Sequence, residues 1–153
     1  MADAADLISL YSKRILALAA DIPHADRLAD PQGSAMKRSP LCGSTVTVDV
    51  RMDRSRVSDY GQDVKACALG QASAAILGEK VVGASRAELV AGRDALRAML
   101  KQGADAPSGM WSGLEVLTPA KDYKNRHASI LLAWDGVIEA IDGIGAVDAC
   151  AEG

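Results

Sequence analysis

Residues Gly43–Lys65 read GSTVTVDVRMDRSRVSDYGQDVK, and the alternation in this stretch decides the fold class. From Gly43 to Met52 the period is two: Val46, Val48, Val50 and Met52 fall on one side, and Thr45, Thr47, Asp49 and Arg51 on the other. That is the pattern of a half-buried strand, with one face on a core and one in water. Asp53-Arg54-Ser55 forms a short polar turn. The chain then resumes as a second strand, Arg56–Lys65, in which Tyr60 and Val64 share a parity with the following Ala66. Two such runs joined by a tight turn predict an antiparallel hairpin rather than a crossover. A hairpin brings its outer ends together. Cys42, just before the first strand, and Cys67, just after the second, are therefore expected near the same edge of the sheet.

Working outward, Leu7, Leu10, Tyr11, Ile15, Leu18 and Ile22 recur at helical spacing between Asp6 and Asp21, and Pro23 stops that helix. The segment from Pro23 to Pro40 is rich in Pro, Asp, Gly and Ser, and reads as a connection with a short edge strand near Ser34–Lys37. Ala68–Leu77 is Ala-rich and helical. Ser85-Arg86-Ala87-Glu88 has the Ser-x-x-Glu form of a capping box, opening a helix to about Lys101. Gln102–Lys124 carries Gly103, Pro107, Gly109, Gly113 and Pro119 and reads as irregular. From about Asn125, the residues Ile130, Leu131, Trp134, Val137, Ile138 and Ile141 define a last amphipathic helix that weakens at Gly143 and Gly145, with His127 in its first turn.

A length of 153 residues matches one domain, residues 1–153. Charged residues make up 24% and the net charge is −3, so no positive field exists to hold a nucleic-acid backbone or an anionic membrane. No apolar run reaches the roughly 18 residues a bilayer span requires. The N-terminal MADAADLISLYSKR is acidic and then amphipathic, unlike a secretory signal, and the expected location is the cytoplasm. Three cysteines are an odd number for a disulfide framework and direct attention to metal, redox or nucleophilic chemistry. With no Phe, two Trp and three Tyr, the core must be aliphatic.

Three residues carry that chemistry. Cys67 sits where a strand becomes a helix, so unpaired N–H groups and the positive end of the helix dipole favour a thiolate there. Cys42 lies in Ser39-Pro40-Leu41-Cys42-Gly43-Ser44, where Pro40 fixes one backbone angle and Gly43 lets the chain turn closely around the sulfur. His127, at a helix start, is expected to stay neutral with a lone pair open to metal. Cys150, near the C-terminus, and His24, in a loop, receive no role. Lys121, Lys124 and Arg126 read from charge alone as a solvated surface.

Lys37-Arg38-Ser39-Pro40-Leu41-Cys42-Gly43-Ser44, followed by an alternating strand, resembles the Pro-x-Cys-Gly-Asp loop and strand of IscU-type scaffolds. Val64-Lys65-Ala66-Cys67-Ala68-Leu69-Gly70-Gln71-Ala72-Ser73-Ala74-Ala75 resembles the Gly-Cys-x-x-x-x-Ala-Ser-x-Ser block of that family, and 25 positions (67 − 42) separate the two cysteines. Arg126-His127-Ala128-Ser129-Ile130-Leu131 is similar to the His-Cys-Ser-Ile-Leu of IscU, and Ala133-Trp134 to the Leu-Ala-Trp of SufU. The sequence thus resembles the iron–sulfur cluster assembly scaffold family of IscU, SufU and the N-terminal domain of NifU, over roughly residues 5 to 142.

The resemblance implies an α+β fold, a three-stranded antiparallel sheet packed by helices with the ligands at one end. It implies a non-catalytic platform on which iron and sulfur from a cysteine desulfurase become a cluster, later passed to acceptor apoproteins. Iron, an iron–sulfur cluster or zinc would be bound through Cys42, Cys67 and His127. The family Asp is Ser44 here, and the third Cys falls on Ala128 by the His-Cys match or on Ser129 by the Leu-Ala-Trp match. The open ligand position is then left to water, a partner thiol or a second subunit. Two other readings stay open: a degenerate scaffold that regulates the assembly machinery as an interaction module, and a sulfur acceptor using Cys42 or Cys67.

Overall fold

The computed structural model describes residues 12–40 and 43–152, with side chains through Ile144. Leu7, Leu10, Tyr11 and Cys42 lie outside the described residues. The elements, in order, are α1 (Lys13–Ala20), β1 (Gly33–Arg38), β2 (Thr45–Asp53), β3 (Arg56–Lys65), α2 (Ala68–Lys80), α3 (Arg86–Gln102), a 3₁₀ segment (Gly109–Asp122) and α4 (Lys124–Glu152). This is an α+β fold with a three-stranded sheet of order β1-β2-β3, antiparallel throughout.

The expected hairpin is present, with Thr45 opposite Lys65 and Val50 opposite Tyr60, and a bulge between Arg51 and Met52. Its turn is tighter than the sequence advertises. Arg54 and Ser55 both take positive φ, 53° and 68°, which is what a two-residue type I′ hairpin needs and what Asn-Gly supplies most easily. The edge strand expected at Ser34–Lys37 is β1, which pairs with β2 from Gly33↔Val50 to Arg38↔Thr45.

Val46, Val48 and Val50 are buried beneath the helical layer. α4 lies across them: Gly136 leaves only 3.2 Å between an added Cβ and Val48 Cγ2, and Gly33 of β1 sits so close to the Ala140 carbonyl that no side chain fits. α2 is buried on nearly all sides, through Leu69, Ala72, Ala74, Ala75, Ile76 and Leu77. Its run of alanines lets neighbouring elements approach a helix that has no solvent face to speak of.

The opposite face of the sheet departs from the simple alternation. Asp49, expected in water with Thr45, Thr47 and Arg51, is 0% exposed because the connection after α1 folds over it. Arg27 grips the carboxylate with two nitrogens, and the Leu28 N–H (3.0 Å) and the Ser34 hydroxyl donate to it as well. Burial pushes the Asp49 carboxyl up, but the hydrogen bonds from Arg27, Ser34 and Leu28 and the Arg27 charge outweigh it and hold the group below the usual carboxylate range.

α3 begins as the capping box requires, with Ser85 Oγ accepting from the Glu88 N–H (3.2 Å) and Glu88 Oε1 accepting from the Ser85 N–H (2.9 Å). It ends at Gly103 in the left-handed region. The stretch expected to be irregular is instead largely a 3₁₀ run, kinked at Trp111. Its buried residues, Trp111, Leu114, Leu117 and Ala120, fall three apart, matching three residues per turn. Trp111 packs edge-on against Trp134 at 4.8 Å between ring centroids, over Gly92 of α3. Among the described residues no helix is long and apolar enough to cross a membrane.

Replacing Arg54-Ser55 by Asn-Gly should raise stability by about 1 kcal/mol, since neither new residue resists positive φ, and a higher urea midpoint at unchanged slope would register it. Asp49→Asn should cost about 2 kcal/mol at neutral pH by removing charge-assisted hydrogen bonds. Because the folded carboxyl titrates below its unfolded value, that contribution is complete above the unfolded pKa of about 3.9 and is lost as pH falls through the folded one. The stability gap between wild type and Asp49→Asn, measured by denaturant titration from neutral to acid pH, should therefore close on the acid side.

Candidate metal-binding centre

Cys67 is the N-cap of α2, in extended conformation, and its side chain makes no capping bond. The half-buried sulfur thus stands beside the N–H groups that open the helix. Its neighbour from α4 is Ser129, whose Oγ lies 3.6 Å from Cys67 Sγ. Ser129 Oγ donates in turn to Ser44 Oγ at 3.1 Å, so the start of β2, the start of α2 and the first turns of α4 meet at three side chains. Ser44 and Ser129 are 5% and 1% exposed.

Two local features bring these residues together. Gly70, one turn into α2, has no room for a side chain: an added Cβ would lie 2.6 Å from Ser129 Oγ and 2.8 Å from Ala66 Cβ. At the other end of the site, Ser39 and Gly43 flank the Pro40–Cys42 stretch and tie it off, with the Gly43 N–H donating to Ser39 O (2.9 Å) and the Ser39 N–H to Ser44 O (2.8 Å). Gly43 has φ +71°, the turn its sequence position suggested.

His127 is placed differently. Its ring is 2% exposed and Nε2 lies 2.9 Å from the Ala120 carbonyl of the 3₁₀ segment. It stands two positions before Ser129, about 200° around an α-helix, so the two side chains leave α4 on opposite sides. It lines a depression with Leu100, Lys101, Gly103, Lys121, Asp122 and Lys124. The structure thus brings Cys67 together with Ser44 and Ser129, while Cys42 lies outside the described residues. Between the two alignments for the third family Cys, Ser129 is the position that touches Cys67.

The chemistry of this donor set is thin. Among the described residues no group of three or more His, Cys, Asp or Glu is placed to hold a metal ion. The 3.6 Å between Cys67 Sγ and Ser129 Oγ is a hydrogen-bond contact between a thiol and a hydroxyl. A neutral hydroxyl is not among the usual ligands of zinc or of iron–sulfur clusters. Gly70 and Ser73 carry the site too: Ser73 Oγ donates to Ile130 O (2.7 Å) and accepts from Trp134 Nε1 (3.0 Å), linking the Ala-Ser of one motif to the Ala-Trp of the other.

No family model matches the chain. Among solved structures, it is similar to a NifU-like protein (N-terminal) from Brucella abortus, with 43% identity, a TM-score of 0.89, and coverage of 92% of this chain and 98% of that one. Two proteins named iron–sulfur cluster assembly scaffold protein IscU are also similar. The one from Streptococcus pyogenes is 27% identical over 120 residues, 78% of this chain and 75% of that protein. The one from Thermotoga maritima is 24% identical over 135 residues, 88% and 94% of the two chains. An α+β fold shared at 43% identity over nearly the whole length defines a class. The chain belongs to the IscU/SufU/NifU N-terminal family.

Gly70→Ala should destabilise the protein by about 1–3 kcal/mol, the usual cost of overpacking. The strain falls on the Ser129 contact, so Ser129→Ala in the same chain should recover part of the loss in urea unfolding.

Proposed function

We propose that this chain is an iron–sulfur cluster assembly scaffold: it receives iron and the sulfur released by a cysteine desulfurase, holds the nascent cluster, and passes it to acceptor apoproteins without catalysing a reaction of its own. The observation that carries this reading is 43% identity to a NifU-like N-terminal domain over 92% of the chain, with Cys67 at the expected strand-to-helix junction. The cluster is cargo, and iron or zinc alone can take its place. Cys67 and Cys42 supply the thiolates in this proposal, the former beside open helix N–H groups and the latter between residues already fixed by the Ser39–Gly43 and Ser39–Ser44 hydrogen bonds. Two thiolates leave ligand positions open, to be filled by water, a partner thiol or a second subunit. The proposed setting is the cytoplasm.

The paired hydroxyls of Ser44 and Ser129 favour a second reading, a scaffold that has kept the fold and the docking role but no longer holds a cluster. Anaerobic incubation with iron and sulfide, followed by visible absorption and acid-labile sulfide analysis, separates the two. Under the scaffold reading, wild type retains iron and sulfide, and Cys67→Ala and Cys42→Ala each lose affinity by more than about tenfold, or 1.4 kcal/mol. Ser129→Cys, which places a third thiol against Cys67, should retain the cluster longer than wild type. His127→Ala is expected to stay within about twofold of wild type, under 0.5 kcal/mol. A larger loss there would make the imidazole a ligand after all. Wild type with no retained iron or sulfide, alongside a loaded Ser129→Cys variant, would establish the second reading.

A further inference from the structure

The open depression at the far end of His127 has a composition that the assembly chemistry leaves unexplained. It has a volume of about 410 Å³ and is formed by the end of α3 (Leu100, Lys101, Gly103), the end of the 3₁₀ segment (Lys121, Asp122) and the start of α4 (Lys124, His127). Three lysines face one carboxylate. Lys37, Arg56 and Arg86 elsewhere on the surface have ion-pair partners, but among the described residues Lys101, Lys121 and Lys124 have none within 4.0 Å. Lys101 has a reason within its own helix, since a cation in the last turn of α3 complements the helix dipole. Lys124 has the opposite relation: it opens α4, whose first turn holds no acidic residue, and adds positive charge to a terminus that is already positive. Folding gains nothing from that accumulation, and an anion relieves it.

The floor of the depression adds an independent and more selective feature. A carbonyl oxygen only accepts, so the His127 Nε2 that meets Ala120 O at 2.9 Å is the donor there, and in the tautomer this contact selects Nδ1 presents a lone pair. Nδ1 has no hydrogen-bond partner among the described residues, and the residue as a whole is 2% exposed. The lining therefore offers ammonium donors around one buried acceptor. A fully deprotonated oxyanion satisfies only the donors. An oxyanion that keeps one proton satisfies both, with oxygens toward the lysines and its O–H toward Nδ1.

We propose that this depression is a binding site for hydrogen phosphate, with Lys101, Lys121 and Lys124 neutralising the oxygens and His127 Nδ1 accepting the remaining O–H. Sulfate is the discriminating probe, because it matches phosphate in size and charge and has no proton to give at pH 7.5. In a low-salt buffer free of both ions, calorimetric titration should find saturable phosphate binding. Affinity for sulfate should be weaker by about fivefold or more, about 1 kcal/mol. Lys121→Gln and Lys124→Gln are exposed changes that leave the core alone, and each should weaken phosphate several-fold. His127→Phe should bring phosphate down to the level of sulfate. Equal affinity of wild type for the two ions overturns the proposal. So does phosphate binding indifferent to both lysine substitutions, which means an adventitious ion only. Glycerol phosphate binding more tightly than the free ion would overturn assignment to inorganic phosphate and move the site to a phosphate monoester.

Discussion

The hydroxyl of Ser73 is the joint on which the rest of the molecule turns. It sits in the middle of α2, wholly buried, where it donates to the Ile130 carbonyl and accepts from the Trp134 indole. A hydroxyl has one proton to give and lone pairs to receive with, and here both capacities are used. Each such bond is worth about 1 kcal/mol net, but an unmet buried donor costs about 1–3 kcal/mol, so the arrangement is specific as well as favourable. It fixes the rotation of α4 about its own axis. That rotation decides which α4 residues meet the sheet, which meet Cys67 and which meet the 3₁₀ segment.

Glycines make the close approach possible around this joint. Gly70 admits Ser129, Gly92 admits the two tryptophan rings, and Gly33 admits the backbone of α4 onto β1. The centre around Cys67 is therefore a by-product of how tightly two helices and a sheet edge are drawn together. Ser129 and Ser44 are held there by that packing.

Much of the fold was legible in the chain. The period of two in Val46, Val48 and Val50, the Ser85–Glu88 box and the apolar row from Ile130 to Ile141 each report a local preference that tertiary structure had no reason to override. Asp49 was misread because alternation records one covered face, and here a remote loop brings Arg27 and Leu28 to cover the second. The 3₁₀ run was hidden by its glycines and Pro119, although Trp111, Leu114, Leu117 and Ala120 spelled out its period. Around the centre, the sequence put both cysteines at one edge of the sheet; Cys67 lies at the β3–α2 junction, and Cys42 is outside the described residues. The sequence left Ala128 and Ser129 as alternatives and grouped His127 with the cysteines. Neighbours in a helical sequence point in different directions, and only the rotation set by Ser73 tells which one faces Cys67.

Ser44 and Ser129, which touch, are 85 positions apart in the chain, and Cys67 and Ser129 are 62 apart. The last of these groups to be made lies in α4, the final helix. A ribosome building this chain therefore releases Cys67 well before the helix that packs against it exists. Vectorial synthesis leaves that thiol bare until the closing helix emerges and docks.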